Sequence, residues 1–218
     1  MQLIGMLDSP YVRRVAISLQ LLGLPFEHRP LSVFRTFDEF RAINPVVRAP
    51  TLVCDDGTVL MDSTLIIDHA ESLAAPRATL MPRALPERLR CLRLLGLALA
   101  ACEKSVQILY ERNQRPAELQ HEPWIARVRG QLHAAVDALE HELQRVPLVA
   151  APGAIDQAGV TCAVMWKFVK QSLAGEIDGS AHPALSTLSA RAEALPAFAA
   201  APHGPATIDP SISTRSAP

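Results

Sequence analysis

The sequence has few cysteines and none of the spacings that cysteine-based sites use. Its 218 residues include four, Cys54, Cys91, Cys102 and Cys162, and no two of them form a C-x-x-C pair. This excludes zinc ribbons and dithiol redox sites. The seven histidines form no H-E-x-x-H pattern, so the sequence predicts no metal site. We expect the four thiols to be small buried apolar side chains.

The usual signals of nucleotide, nucleic-acid and membrane proteins are also missing. Neither G-x-x-x-x-G-K-[ST] nor G-x-G-x-x-G occurs, which removes the main support for phosphate-loop and dinucleotide sites. The formal net charge of −1 gives no electrostatic case for nucleic acid or an anionic membrane as a partner. The apolar run over 94–102 is shorter than the roughly 20 residues that a membrane span needs. No signal peptide opens the chain, so we expect a cytoplasmic protein.

What the sequence does contain is the pattern of a two-domain α/β and all-α protein. Residues 1–75 alternate short strand-like runs and amphipathic helices in the order βαβ–ββα, with a hairpin turn at Asp55-Asp56-Gly57. That order predicts a thioredoxin-like domain. A Pro- and Ala-rich linker is predicted over 76–86, an all-helical domain over 87–203 and a flexible tail over 204–218.

The tetrad Ser9-Pro10-Tyr11-Val12 begins the first predicted helix, where thioredoxin-like folds carry their reactive group. Glutaredoxins have Cys-Pro-Tyr-Cys there, whereas this chain has a hydroxyl and no thiol. A hydroxyl at a positive helix end can donate to a bound thiolate. Lowering a thiol pKa by about two units needs about 2.7 kcal/mol, and one charge-assisted hydrogen bond supplies about 1.5–3 kcal/mol. The alternative is that Ser9 only caps the helix.

Two further motifs follow at the expected distances. Pro50 begins a strand where thioredoxin-like folds use a cis proline, which would turn the backbone of Ala49 outward to hold an extended peptide; a trans proline is the alternative. Asp62 and Ser63 open a helix. Ser63 can hold a carboxylate and Asp62 can accept from an ammonium group, so the pair suits the terminus of an amino acid. A simple helix cap is the alternative here too.

Taken together, these features resemble the glutathione S-transferase family. The resemblance is carried by the run from Ser9 to Arg14, by Asn44-Pro45 through Pro50, by Asp62-Ser63 and by the helical second half. It covers roughly residues 1–200 and is most similar to bacterial serine-type enzymes and the theta- and tau-like classes. It implies a detoxification transferase that uses glutathione as a substrate, without metal or prosthetic group, and that forms a homodimer.

The resemblance also implies roles for the matched residues. Ser9 would stabilise the glutathione thiolate rather than act as a nucleophile. Arg48 would reach the glycyl carboxylate, although the family often has Lys there. The glutathione-binding residues would be Arg48, Ala49, Pro50, Asp62 and Ser63. A pocket for the electrophile, which the sequence does not identify, would use Leu7, Phe34, Gln107, Tyr110 and Trp166, with packing as the alternative for each.

Some features depart from the family or leave alternatives open. The usual Ser/Thr-x-x-Asp capping box is missing at Ala154-Ile155-Asp156-Gln157, where Asp156 could cap alone. Arg13 and Arg35 could add positive potential or serve as structural or solvated side chains. A non-catalytic glutathione-binding or protein-interaction scaffold is the alternative function. A glutathione-dependent reductase or dehalogenase would use the same first site, but Ser9 disfavours cysteine-based reduction.

Overall fold

The computed structural model describes residues 1–208, and these form two compact units. Among the described residues, the first unit comprises 1–81 and 193–208, and the second comprises 82–192. Of the predicted tail, residues 209–218 lie outside the described part. The elements of the first unit are strands β1 (Gln2–Ile4), β2 (Glu27–Arg29), β3 (Thr51–Val53) and β4 (Val59–Met61), and helices α1 (Pro10–Leu21), α2 (Phe37–Ile43), α3 (Ser63–Ala74) and α8 (Pro196–Ala199).

The four strands form one mixed sheet in the order β2-β1-β3-β4. Strand β1 is parallel to β2 and antiparallel to β3, so that Leu3 pairs with His28 on one side and with Leu52 on the other. Strands β3 and β4 form the predicted antiparallel hairpin, with Gly57 in its turn at φ +85°. This is the thioredoxin-like arrangement that the sequence predicts. Leu3 and Leu52 are fully buried in its core.

Helix α1 begins and ends where local signals predict. Ser9 is its N-cap and Pro10 its first residue. Gly23 has φ +69°, and the amides of Gly23 and Leu24 bond to carbonyls of the last turn. This is the left-handed helix ending that glycine permits.

The second unit is helical. Helix α4 (Leu85–Asn113) packs against both α5 (Glu122–Arg145) and α6 (Gln157–Ser172), and α7 (Pro183–Glu193) follows. Asp156 caps α6 through a 2.8 Å bond from the Gly159 amide, so the prediction of a lone cap is confirmed. The buried carboxylate of Glu140 accepts from the amides of Ala184 and Leu185 and so caps α7 from a different helix. Among the described residues, no helix combines the length and apolarity needed to cross a membrane.

Residues 193–201 contact the first unit through Arg13, a buried cation on α1. Arg13 is 0% exposed and pairs with both carboxylate oxygens of Glu193, at 2.6 and 2.8 Å. It also donates to the carbonyl of Ala201 at 2.7 Å and lies 5.7 Å from the ring centroid of Phe198. The sequence predicts that residues 193–201, here called the C-terminal segment, belong to the all-helical domain over 87–203. In the structure they belong to the first unit instead.

Candidate active site

Ser9 lies at the N-terminus of α1 with its hydroxyl turned to the helix end. Its Oγ accepts a long, 3.4 Å hydrogen bond from the amide of Val12. Since this bond uses an oxygen lone pair, the hydroxyl proton is left to point at another acceptor. The side chain is partly exposed. Ser9 is therefore both a helix cap and a hydroxyl donor at the positive end of a helix dipole.

The loop before β3 meets the first turn of α1 across Gly5. The Ala49–Pro50 peptide bond is cis, as the sequence predicts. A Cβ placed on Gly5 would lie 2.6 Å from Cγ2 of Val12 and 3.2 Å from Cβ of Ala49. Gly5 itself has φ +135°, which other residues rarely adopt. The absence of a side chain at Gly5 leaves room for Val12, in the first turn of α1, and for Ala49 to pack against it.

A buried polar network, which the sequence reasoning missed, holds the same loop. The side-chain Nδ2 of Asn44 donates to Oγ1 of Thr51 at 2.8 Å, and the Thr51 hydroxyl donates to the carbonyl of Arg48 at 2.7 Å. Oδ1 of Asn44 accepts from the amide of Val46 at 3.0 Å. Asn44 and Thr51 are both buried. The only available signal was Asn44 before a proline, which predicts a helix stop but does not identify its partners.

Asp62 and Ser63 occupy the N-terminus of α3, as predicted. Asp62 is the N-cap, and its Oδ1 accepts from the amide of Thr64 at 2.9 Å. Its φ of +73° with ψ 124° is a disfavoured conformation for a residue with a side chain. Oδ2 of Asp62 lies 3.6 Å from Nη2 of Arg48, so the structure brings these two predicted residues together. Both side chains are well exposed, so their ion pair adds little stability.

Behind Ser63 lies a second buried arginine of α1. Nη1 of Arg14 donates to Oγ of Ser63 at 2.9 Å and to Oγ1 of Thr64 at 3.2 Å. Arg14 is 2% exposed. The sequence reasoning assigned it no role, although two adjacent arginines in an otherwise uncharged helix were a signal that both side chains have buried partners.

The residues predicted for a second-substrate pocket divide between the two units. Leu7 and Phe34 belong to the first unit, with Leu7 fully buried and Phe34 exposed. Trp166, on α6, is 4% exposed, and its ring lies 5.5 Å from that of His182. Gln107 and Tyr110 lie on α4, where the Gln107 amide bonds to Glu103 at 2.8 Å. The pocket remains a prediction.

Three of the four cysteines have raised thiol pKa values, and Arg35 contacts a nearby sulfur. Burial raises the pKa of the Cys91 thiol to about 11 and also raises the pKa of Cys162. Burial, with the nearby Asp56 and Asp55, raises the pKa of Cys54. A thiolate is thus disfavoured at each of these positions. Arg35 donates to the sulfur of Met6 at 3.2 Å. Within residues 1–208, no group of three or more His, Cys, Asp and Glu side chains is arranged to hold a metal ion.

Comparison with known proteins identifies the family that this chain is similar to. Residues 3–78 match the family model described as the N-terminal domain of glutathione S-transferase. An uncharacterised GST-like protein of Escherichia coli K12, YibF, is 28% identical over 164 residues, covering 75% of this chain and 80% of that protein. Maleylacetoacetate isomerase of Pseudomonas aeruginosa is 34% identical over 138 residues, covering 58% of this chain and 63% of the isomerase.

A solved structure extends the likeness to nearly the whole chain. It is a glutathione S-transferase of Methylobacterium radiotolerans in complex with glutathione sulfonate, with 27% sequence identity and a TM-score of 0.83. The match covers 95% of this chain and 97% of that one. The thioredoxin-like sheet followed by a helical region is therefore the glutathione S-transferase fold.

Proposed function

We propose that this member of the glutathione S-transferase family binds glutathione, stabilises its thiolate through Ser9 and transfers it to an electrophilic small molecule. The observation that carries the proposal is that Val12, in the helical turn that Ser9 caps, and Ala49 both lie against Gly5. A cysteinyl group held by Ala49 would place its sulfur beside the hydroxyl of Ser9. Burial raises the pKa of the Cys54 and Cys91 thiols, which supports a reactive thiol that comes from the ligand.

The chemistry of Ser9 is the stabilisation of negative charge on sulfur. Only a few per cent of an ordinary thiol, with a pKa of about 8.5, is ionised at neutral pH. The hydroxyl proton would donate to the thiolate while the Val12 amide continues to donate to Oγ. The dipole of α1 adds up to about 1 kcal/mol. A lower thiol pKa raises the fraction of nucleophile, which then attacks the electrophile without a covalent bond to the protein.

The γ-glutamyl end would lie at the start of α3. Asp62 would accept from the ligand ammonium group, and Ser63 would donate to its carboxylate. In the structure the cation beside Asp62 is Arg48, at 3.6 Å. We expect the ligand ammonium to replace it there and Arg48 to turn toward the glycyl carboxylate. Because Arg48 is well exposed, this change costs little.

Calorimetric titration with glutathione, together with ultraviolet absorbance of the bound thiolate, tests the proposal. Wild-type protein should bind saturably and lower the pKa of the bound thiol. Ser9→Ala should bind glutathione but leave the thiol pKa near its solution value. Asp62→Asn, which preserves the shape and the cap of α3, should weaken binding. Absence of binding at several millimolar glutathione, or an unchanged thiol pKa in the wild-type complex, would contradict the proposal.

A second candidate function is glutathione-dependent isomerisation, which the 34% identity to a maleylacetoacetate isomerase favours. The same thiolate would add to a conjugated double bond, permit rotation and leave again. A transferase consumes one thiol per product, whereas an isomerase consumes none. Thiol titration during turnover therefore separates the two, and binding without either reaction would indicate the non-catalytic scaffold.

We also propose that the protein is a homodimer. Leu85, Leu89 and Leu92 recur at one helical face of α4 and are 77%, 68% and 49% exposed. A second copy of the chain would cover this stripe by two-fold symmetry. Light scattering after gel filtration should give twice the chain mass for wild type and the chain mass for Leu89→Lys. A monomeric wild type would contradict this proposal without affecting the glutathione site.

A further inference from the structure

Arg14 is placed to act on the ligand through Ser63. Its guanidinium is buried beneath the N-terminus of α3, where Nη1 donates to the hydroxyl oxygens of Ser63 and Thr64 at 2.9 and 3.2 Å. Arg14 lies on α1, so the helix that carries Ser9 also fixes the residue that starts α3. The two ends of the proposed glutathione site are thereby joined by one side chain.

The hydrogen-bond direction determines what Ser63 can do. Because its Oγ accepts from Arg14, the hydroxyl proton is directed to a different acceptor. A hydroxyl that accepts from a cation is also polarised toward stronger donation. Ser63 is therefore set as a donor to an anion, which is the role that a ligand carboxylate requires.

Two side chains of opposite charge lie at the N-terminus of α3. Asp62 presents an exposed carboxylate, and Arg14 places a buried cation behind the next residue. The pair matches an α-amino acid, whose ammonium and carboxylate are separated by one carbon. A buried charge is screened by water and salt much less than an exposed one. The attraction of Arg14 for a ligand carboxylate is thus weakened less by water and salt than that of an exposed cation such as Arg48.

We infer that Arg14 is a positioning and specificity residue that selects ligands bearing the α-carboxylate of the γ-glutamyl group. This inference rests on the proposed glutathione site and names what makes that site prefer a free amino-acid terminus. Arg14 touches neither the sulfur nor the electrophile. Its effect is expected on glutathione affinity and on KM, with kcat at saturating glutathione retained.

The test compares glutathione with its γ-aminobutyryl analogue, which lacks only the α-carboxylate. Dissociation constants are measured by calorimetry for wild type, Arg14→Gln and Arg14→Lys. The glutamine keeps a donor for Ser63 but removes the charge, whereas the lysine keeps the charge. Wild type should prefer glutathione, Arg14→Gln should lose about tenfold or more of this preference, and Arg14→Lys should retain most of it.

Arg13→Gln is the matched control, since Arg13 is the neighbouring buried arginine and pairs with Glu193 instead. It should lower the melting temperature and leave the ligand preference unchanged. In steady-state kinetics, Arg14→Gln should raise KM for glutathione with little change in kcat. Ser63→Ala should lose the preference as well, and adding Arg14→Gln to it should cost little more because both act on one interaction.

The outcomes distinguish failure of the Arg14 inference from failure of the proposed glutathione binding. If Arg14→Gln weakens both ligands equally and keeps the preference, Arg14 acts only through packing and the inference is wrong. Equal binding of the two ligands by wild type also overturns it, while leaving glutathione binding established. A wild-type protein that binds neither ligand overturns the proposed function itself.

Discussion

Arg13 and Glu193 form an ion pair across 180 positions of the sequence, with the guanidinium fully buried and the carboxylate partly exposed. The contact fastens the C-terminal segment to the helix that begins at Ser9. A buried guanidinium that loses its carboxylate keeps its desolvation cost, so this pair is more consequential than the exposed pairs elsewhere in the chain.

Glu193→Gln should therefore lower the free energy of unfolding by about 2–4 kcal/mol. The glutamine can still accept one hydrogen bond but does not neutralise Arg13. Urea unfolding measures the change. Glu39→Gln is the control, because its pair with Arg29 is long, at 3.6 Å, and exposed, and should change stability by less than about 0.5 kcal/mol. Equal effects of the two variants would show that burial of Arg13 has no energetic consequence.

Gly5→Ala should be strongly destabilising because it combines an unfavourable φ with a steric clash. Its Cβ would lie 2.6 Å from Val12 Cγ2 and 3.2 Å from Ala49 Cβ. Gly57→Ala isolates the first effect, since Gly57 has φ +85° and a Cβ there would meet no heavy atom within 4 Å beyond its adjacent residues. We expect a loss of about 1 kcal/mol for Gly57→Ala and about 3 kcal/mol for Gly5→Ala in urea unfolding. Similar losses would mean that Val12 and Ala49 move apart freely.

Val47→Asn should stabilise the first unit. Val47 has φ +51°, a region that a β-branched residue avoids and that asparagine tolerates. Removing this backbone strain should raise the unfolding free energy by about 1 kcal/mol. The exposed neighbour Val46 gives the control Val46→Asn, expected to change stability by less than about 0.5 kcal/mol. A destabilised Val47→Asn protein would show that the valine side chain matters more than the backbone.

The His182–Asp137 pair should make stability depend on pH. Burial opposes protonation of His182, but the Asp178 carbonyl and the Asp137 carboxylate outweigh it and raise its pKa. Each accepts from one ring nitrogen at 2.8 Å, which requires the imidazolium form. The stabilisation is thus complete below the ordinary histidine pKa of about 6.5 and is lost as pH rises through the higher folded value.

Unfolding at about pH 5.5 and pH 8.5 measures this dependence. Asp137→Asn should cost more stability at the lower pH, because the amide is a weaker partner for the imidazolium but an adequate one for neutral imidazole. The exposed Asp68→Asn should show no such difference. A larger cost of Asp137→Asn at the higher pH would contradict the assignment.

The sequence predicts those parts of the molecule that depend on neighbouring residues. Ser9 and Pro10 start α1, the Asp55–Gly57 turn joins β3 to β4, and Asp156 caps α6, each through bonds within a few positions. The sequence does not predict the partners of Arg13 and Arg14, because these partners lie 180 and 49 positions away and no local pattern identifies them. Only the folded chain shows that one arginine faces the C-terminal segment and the next faces Ser63.

Return of the C-terminal segment to α1 makes the helical unit an insertion within the first one. During synthesis, the four strands are made long before Glu193. Arg13 therefore has no Glu193 partner until the whole helical unit has been made. A fragment that ends near residue 81 would retain all four strands and α1 but leave this cation without Glu193. The Arg13–Glu193 contact therefore cannot form until the whole helical unit has been synthesised.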